Sequence, residues 1–195
     1  MDEKSHKQSL LDALYEPYIT CNACPLGKLG RTNVVFGEGN PNAKLMFIGE
    51  GPGEREDLLN RPFVGRSGNL LTKVMEAVGI NRTDVYITNI VKCRPPNNRN
   101  PLPIESSRCI NLLLLNQIAI IRPKTICLLG SIALHAVLDK NISISKARGK
   151  IFKKGAITFI PTYHPAYILR NNQQLETFFN DLKLAIESLH ANKEI

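Results

Sequence analysis

Four short runs of apolar and β-branched residues are spaced along this chain of 195 residues, and each predicts a strand. The runs are KLMFI at 44–48, VYITNI at 85–90, TICLL at 125–129 and ITFIP at 157–161. A glycine or a polar residue follows each run within two positions. Their nearly continuous apolar character is typical of strands that are buried on both faces of a sheet.

Outside these runs, apolar residues recur every three or four positions, which predicts helices. The helical sets are Leu10, Leu11 and Leu14; Leu70, Leu71, Val74, Met75 and Val78, N-capped by Ser67 and ended by Gly79; Ile110, Leu113, Leu114, Ile118 and Ile121; residues 132–138; and Leu175, Phe178, Phe179, Leu182, Ile186 and Leu189. Strands that alternate with helices predict a parallel sheet covered on both faces. We therefore expect residues 1–195 to form a single α/β domain of three α/β/α layers, with a central, mainly parallel four-stranded sheet.

Ligands of such sheets bind beyond the carboxyl ends of the strands, which selects the loops 49–68, 89–103, 130–131 and 162–170. The first of them begins GEGPGERED, in which three glycines around a proline allow a tight turn and a close approach to a ligand. It is not a dinucleotide-binding fingerprint, because Glu54 stands where the third glycine is needed, nor is it a P-loop. A plain turn is the alternative interpretation. Phe63, further along this loop, is either a wall of the same crevice or a core residue.

Two polar residues mark the ends of other predicted strands. Asn89 ends a buried strand, so its amide must pair with neighbouring backbone or with the polar edge of a ligand. His164 lies in YHPAYILR at 163–170, directly after the fourth strand. A lone histidine in a loop is often only a surface residue, but this one lies at the expected binding edge.

The charge of the chain is unbalanced. Twenty-five Lys and Arg against 17 Asp and Glu give a formal net charge of +8. Such an excess favours polyanions such as nucleic acid, although a generically basic soluble protein has the same charge. No apolar run approaches the length of about 18 residues that a membrane span needs, and the polar N-terminal segment does not resemble a signal peptide. We expect a soluble protein that stays where it is made.

The five cysteines predict metal or redox chemistry rather than disulfides, because the chain shows no export signal. Cys21 and Cys24 form a C-x2-C pair, Cys93 lies in KCRPP, and Cys109 follows after 15 intervening residues. Cys127 lies within the third predicted strand, where a small buried hydrophobic residue is the simplest interpretation.

Four segments, taken in order, resemble the iron–sulfur uracil-DNA glycosylases known as family four or type 4. GEGPGERE at 49–56 matches the family motif G-E-(A/G)-P-G-x-x-E. PFVGRSGNLL at 62–71, TNIVKCRPPNNR at 88–99 and YHPAYILR at 163–170 match three further motifs. Together with the four cysteines, the resemblance covers about residues 21–170.

The resemblance implies one [4Fe–4S] cluster per chain, held by Cys21, Cys24, Cys93 and Cys109. Four thiolates also suit zinc, and only the resemblance favours iron. A structural role for the cluster is the simpler interpretation, because hydrolysis of a glycosidic bond needs no electron.

The activity implied by the resemblance is DNA repair: the protein flips uracil out of DNA and hydrolyses its N-glycosidic bond, leaving an abasic site. The implied catalytic residues are Glu50, which would orient the attacking water, and His164, which would hold the leaving uracil anion. The implied substrate-binding residues are Phe63 and Asn89 for the base, Gly51 and Gly53 for close backbone approach, Ser67 for the DNA backbone, and Arg170 for the space that the base vacates.

The expected partner is uracil-containing DNA, single- or double-stranded, and a replication clamp or polymerase is a further candidate. We expect a cytoplasmic monomer, associated with the nucleoid in a prokaryote, with no membrane contact. An inactive DNA-binding accessory protein, an electron-transfer protein and a glycosylase with wider scope for hypoxanthine or xanthine are the alternatives. The complete set of Glu50, Asn89 and His164 favours an enzyme over the accessory protein.

Overall fold

The computed structural model describes residues 2–138 and 141–191, and its centre is a six-stranded sheet. The strands are β1 (Glu38–Gly39), β2 (Leu45–Gly49), β3 (Tyr86–Asn89), β4 (Thr125–Leu129), β5 (Phe152–Lys154) and β6 (Ile157–Thr162). Their order across the sheet is β1-β3-β2-β4-β6-β5. Strands β2, β3, β4 and β6 are parallel to one another and correspond to the four predicted runs.

The expectation of four strands was wrong, because two antiparallel strands flank the parallel ones. β1 pairs with β3, and β5 pairs with β6. These edge strands are two and three residues long and include Glu38, Lys153 and Lys154, so they lack the apolar run that predicted the others. Short, charged strands are typical of sheet edges, where they discourage pairing with other chains.

The helices cover both faces of the sheet. They are α1 (Glu3–Tyr15), α2 (Glu54–Leu59), α3 (Arg66–Ala77), α4 (Pro103–Cys109), α5 (Leu115–Ile121), α6 (Ser131–Leu138), α7 (Ile144–Ala147), α8 (Pro165–Ile168) and α9 (Leu175–Ala191), with a π-helical turn, Ile110–Leu114, joining α4 to α5. The predicted helices are all present, whereas the short α2, α7 and α8 lacked a long enough apolar pattern to be predicted. Ser67 is not the N-cap of α3: Gly65 occupies that position in an extended conformation, and Ser67 lies in the first helical turn.

Two hydrophobic cores lie on opposite faces of the sheet, because successive side chains of each strand alternate between them. Met46 and Ile48 of β2 belong to the first core, and Leu45 and Phe47 belong to the second. Helices α1, α5 and α6 contribute to the first core, and α3, α8 and α9 contribute to the second. The predicted three-layer α/β/α arrangement is therefore confirmed.

The joined helix Pro103–Ile121 has 19 residues and a mean hydropathy of 1.2, enough by length and composition alone to cross a membrane. Core helices of soluble proteins meet the same test, so this is weak support for a span. Its residues Leu113, Leu114 and Ile121 are buried in the first core. This helix therefore packs as one of the layers covering the sheet.

Candidate functional site

A cavity of about 710 Å³ lies beyond the carboxyl ends of the four parallel strands. Its volume is in the range typical of small-molecule sites. The eight residues predicted to act in catalysis or substrate binding all line this cavity: Glu50, Gly51, Gly53, Phe63, Ser67, Asn89, His164 and Arg170. The parallel strands explain this convergence, since β2, β3, β4 and β6 all end at the same edge of the sheet.

Gly49 lets the Phe63 ring and the Asn89 amide come together. A Cβ at position 49 would lie 2.4 Å from Phe63 Cζ and 2.5 Å from Asn89 Oδ1. No side chain larger than hydrogen fits between them, so the last residue of β2 has to be glycine for the cavity floor to form. The next residue, Glu50, lines the cavity, and burial raises the pKa of its carboxyl group.

Asn89 carries a buried acceptor with no partner. The residue is 1% exposed, and its Oδ1 accepts no hydrogen bond from the described residues. Its main chain, in contrast, is held firmly, because Lys92 Nζ donates to the Asn89 carbonyl oxygen at 2.7 Å. Buried polar atoms in proteins are almost always paired, so an orphan oxygen beside a cavity points to a donor on a ligand.

Phe63 forms a wall of the cavity in an unusual backbone conformation. Its φ is 52°, in the left-handed region that residues other than glycine seldom adopt. The residue is 5% exposed, and its ring centroid lies 5.8 Å from that of His164 at an interplanar angle of 36°. The two rings therefore face the same space from different loops.

His164 is a neutral imidazole with a fixed tautomer. It N-caps α8, and its Nδ1 accepts a hydrogen bond of 3.1 Å from the Ala166 N–H. The ring proton must then reside on Nε2. Burial, and secondarily the charge of Arg170, lower the pKa of His164 to about 4, so the ring donates as a neutral group at pH 7.

Several lining residues were missed by the sequence analysis. Glu56 is buried, and its Oε1 accepts from the N–H groups of Val64 and Gly65 at 2.9 and 2.6 Å. The signal for it was present, because Glu56 is the final residue of the GEGPGERE motif. Ile144 and Ser145 also line the cavity but stand in no motif that could have indicated them.

The four predicted metal-ligand cysteines share a second, much smaller cavity. It is lined by Cys21, Cys24, Cys93 and Cys109, whereas Cys127 is buried in the second core, as its strand position predicts. Within residues 2–138 and 141–191, no three His, Cys, Asp or Glu side chains are close enough to hold one metal ion. Burial raises the pKa of Cys93 to about 12 and that of Cys109 to about 11.

A basic side chain contacts this cysteine cluster. Arg31 Nε donates to Cys93 Sγ at 3.0 Å, and the same guanidinium donates to the Cys21 carbonyl oxygen at 2.5 Å. One side chain thus connects a sulfur and a backbone oxygen that are far apart in sequence. No sequence motif indicated a role for Arg31, which lies outside the four family motifs.

The Pro-rich loop connects the two cavities. Arg99 lines the larger cavity and makes two hydrogen bonds of 2.7 and 2.8 Å to Glu105, in the helix α4 that ends at Cys109. Glu105 also accepts from the Leu102 N–H at 2.7 Å. The loop that borders the larger cavity is therefore tied to the helix that carries one of the cysteines.

Comparison with known proteins agrees with this geometry. Residues 36–189 match the model of the uracil DNA glycosylase superfamily. The type-4 uracil-DNA glycosylase of Thermotoga maritima is 52% identical over 167 residues, which cover 85% of this chain and 86% of that protein. The type-4 enzyme of Sulfurisphaera tokodaii is 44% identical, covering 89% and 82%, and that of Archaeoglobus fulgidus is 40% identical, covering 89% and 90%.

The superfamily model covers most of the chain, and the type-4 relatives align along nearly their whole length. Each of the four sequence motifs contributes residues that line the cavity. The chain therefore belongs to the uracil DNA glycosylase superfamily and, within it, to the type-4 uracil-DNA glycosylases.

Proposed function

We propose that this chain removes uracil from DNA by flipping the base into the larger cavity and hydrolysing its N-glycosidic bond. The observation that carries the proposal is the buried, unpaired Oδ1 of Asn89 beside the Phe63 ring. A flat base with a hydrogen-bond donor on its edge would stack on the Phe63 ring and donate to the unpaired Asn89 oxygen. Extruding the base costs a few kcal/mol, which contacts in the cavity must offset.

Asn89 and Phe63 would recognise the base. The Asn89 oxygen accepts from uracil N3–H, and its amide N–H donates to O4. Phe63 stacks on the ring, a contact worth about 1–3 kcal/mol per base. Cytosine presents the reverse pattern at these two atoms, so its binding would leave buried polar groups unpaired.

His164 would stabilise the leaving group. Breaking the glycosidic bond places negative charge on uracil, and the Nε2–H of the neutral ring donates to O2 as this charge develops. The Ala166 N–H holds the ring in the required tautomer before the base arrives. A preset donor of this kind stabilises the transition state more than the ground state.

Glu50 would act on the attacking water and on the sugar, rather than on the leaving base. Its carboxylate orients the attacking water and favours the positive charge that develops on the sugar. Gly51 and Gly53 allow the protein backbone to approach the DNA closely. Ser67 would contact the DNA backbone, and Arg170 would enter the space that the flipped base leaves. Both single- and double-stranded DNA are candidate substrates, and a replication clamp or polymerase is a candidate partner.

We expect a uracil-containing oligonucleotide to yield alkali-labile abasic sites when it is incubated with the purified chain. Among the described residues that line the cavity there is no lysine, so no amine is placed to form a Schiff base with the sugar. The strand should stay intact until alkali is added. The measurement is gel electrophoresis before and after alkali, and strand cleavage that accompanies base release would contradict simple hydrolysis.

The four cysteines of the smaller cavity would hold a [4Fe–4S] cluster. Four cysteine thiolates are the ligands that such a cluster takes, and all four of these cysteines line the one cavity. Zinc also takes four thiolates, so membership of the type-4 family is what favours iron. Arg31 would donate to the Cys93 thiolate. The cluster would tie the N-terminal loop to α4 and to the Pro-rich loop.

Replacing Cys93 with Ser should remove the cluster. Anaerobically purified wild type should be brown with about four irons per chain. We expect Cys93→Ser to be colourless and to melt about 5–10 °C lower, because the metal no longer joins separate loops. Metal analysis and calorimetry measure both effects.

Cys127→Ala is the matched control, because it removes a cysteine from the second core without placing a hydroxyl there. It should retain the iron. A colourless wild type that carries one zinc ion would overturn the cluster assignment.

A further inference from the structure

The backbone of Pro62 and Phe63 is held from outside the cavity by one arginine. Arg82 lies in the short turn Arg82–Asp84, after α3. Its guanidinium donates to the Pro62 carbonyl oxygen at 2.5 Å and to the Phe63 carbonyl oxygen at 3.2 Å. It also donates to Thr72 Oγ1 of α3 at 3.2 Å, so it ties the loop to that helix.

The conformation held in this way is one that Phe63 would not adopt by itself. A left-handed φ of 52° disfavours any residue with a Cβ, and such strain persists only where the surroundings enforce it. Glu56 holds the two N–H groups that follow Phe63 in the chain. On the opposite side, a Cβ at Gly68 would lie 2.0 Å from the Phe63 carbonyl carbon and oxygen. Helix α3 thus carries glycine at the point where the Phe63 backbone crosses it.

Glu38 fixes the arginine in turn. Arg82 Nε and a terminal nitrogen donate to Glu38 Oε1 at 3.0 and 2.7 Å. Burial would raise the pKa of Glu38, but hydrogen bonds from Arg61 and Arg82 outweigh it, so the pKa is lowered and the carboxylate stays ionised at neutral pH. Both side chains of the Arg82–Glu38 pair are largely shielded, at 19% and 23% exposed. Glu38 belongs to the edge strand β1, outside every motif of the site.

We propose that Arg82, oriented by Glu38, is a positioning residue that presets the Phe63 ring to stack on the extruded base. This inference rests on the proposed function, since it assumes that Phe63 stacks on uracil. Arg82 does not line the cavity and does not touch the reacting atoms, so it acts on the base through the carbonyl groups of Pro62 and Phe63. Its effect on catalysis should therefore disappear when the Phe63 ring is absent.

The chain offers a matched control. Arg61 binds the same carboxylate, with Nε 2.7 Å from Glu38 Oε2, but its side chain is 58% exposed and contacts neither carbonyl oxygen. Arg61→Met and Arg82→Met each remove one cation from Glu38. Only the second releases the Phe63 backbone.

The test is a double-mutant cycle on single-turnover excision of uracil from an oligonucleotide. We expect Arg82→Met to lower the rate constant about tenfold, within the range that loss of one base–aromatic stack produces. In a Phe63→Ala background the same substitution should change the rate by less than about twofold, because residues that act through one contact are not additive. Arg61→Met should change the rate by less than about twofold in either background, as expected of an exposed ion pair.

Arg82→Lys keeps the charge beside Glu38 but cannot span both carbonyl oxygens with a planar fork, so it should retain most of the stability and lose part of the rate. It replaces Arg82→Met in the cycle if the latter does not fold. An equal loss of rate in the wild-type and Phe63→Ala backgrounds, or no loss at all, would overturn the positioning role alone. Absence of excision by the wild type would instead overturn the proposed function.

Discussion

Replacing Asn89 with Asp is expected to lower uracil excision by about 10⁴, at the lower end of the discrimination shown by sites that read a polar edge by hydrogen bonds. The change removes the N–H that recognises O4 and places a carboxylate oxygen there, which repels the O4 lone pairs. The position is 1% exposed, so water cannot compensate for the lost hydrogen bond. Any gain on cytosine should be small, because an ionised aspartate still faces the N3 lone pair of that base.

Single-turnover assays on uracil- and cytosine-containing oligonucleotides measure both effects. Asn40→Asp is the control, because it adds the same charge beyond the opposite end of β2 and keeps the acceptor that binds the Asn42 N–H. It should leave excision unchanged. Near-normal excision by Asn89→Asp would mean that Asn89 is a structural residue at a strand end and that specificity resides elsewhere.

Replacing His164 with Ala is expected to lower the excision rate at saturating DNA by about 10²–10³, as found when a preset donor to a developing anion is removed. DNA affinity should change little, because the donation strengthens only as uracil leaves. Separate measurements of the single-turnover rate and of DNA binding distinguish the two. A variant that lost DNA binding but kept its rate of bond cleavage would refute this role.

The wild-type pH profile tests the protonation state of the same residue. The pKa of His164 is lowered to about 4, so the ring becomes charged only as the pH falls through that value. His164 should therefore leave no inflection near pH 6.5, where an unperturbed histidine titrates. His6→Ala, an exposed histidine of α1, is the control and should match the wild type in rate and profile.

Local patterns were sufficient for the parallel part of the sheet and for the place of the site. Residues 45–48 and 125–129 are buried on both faces of the sheet, so the composition of these runs indicates strands without knowledge of their neighbours. Parallel strands end at one edge, and that rule placed Glu50, Asn89 and His164 together before any contact was known. Strands β1 and β5 were not predicted because segments of two or three residues without an apolar run become strands only through pairing with β3 and β6.

For the cysteines, spacing along the chain predicts only part of the site. The C-x2-C pair indicates that Cys21 and Cys24 act together, but nothing in the pattern brings Cys93 and Cys109 beside them. The resemblance to the type-4 family made that connection, and the folded chain places all four around one cavity. The contact of Arg31 with Cys93, across 62 positions, has no local signal at all.

By itself, the sequence determined the layers of the fold, the edge at which ligands bind and the residue types that meet there, because these follow from short-range periodicity and from motifs. Only the tertiary structure decided the state of each group at that edge. The unpaired oxygen of Asn89 and the neutral ring of His164 depend on burial, which distant residues supply. The left-handed conformation of Phe63 depends on Arg82, which lies 19 positions later in the chain. Arg82 is in turn held by Glu38, which lies 44 positions before it. Such contacts form only after the sheet has brought its edge strand beside the loop, so no local pattern contains them.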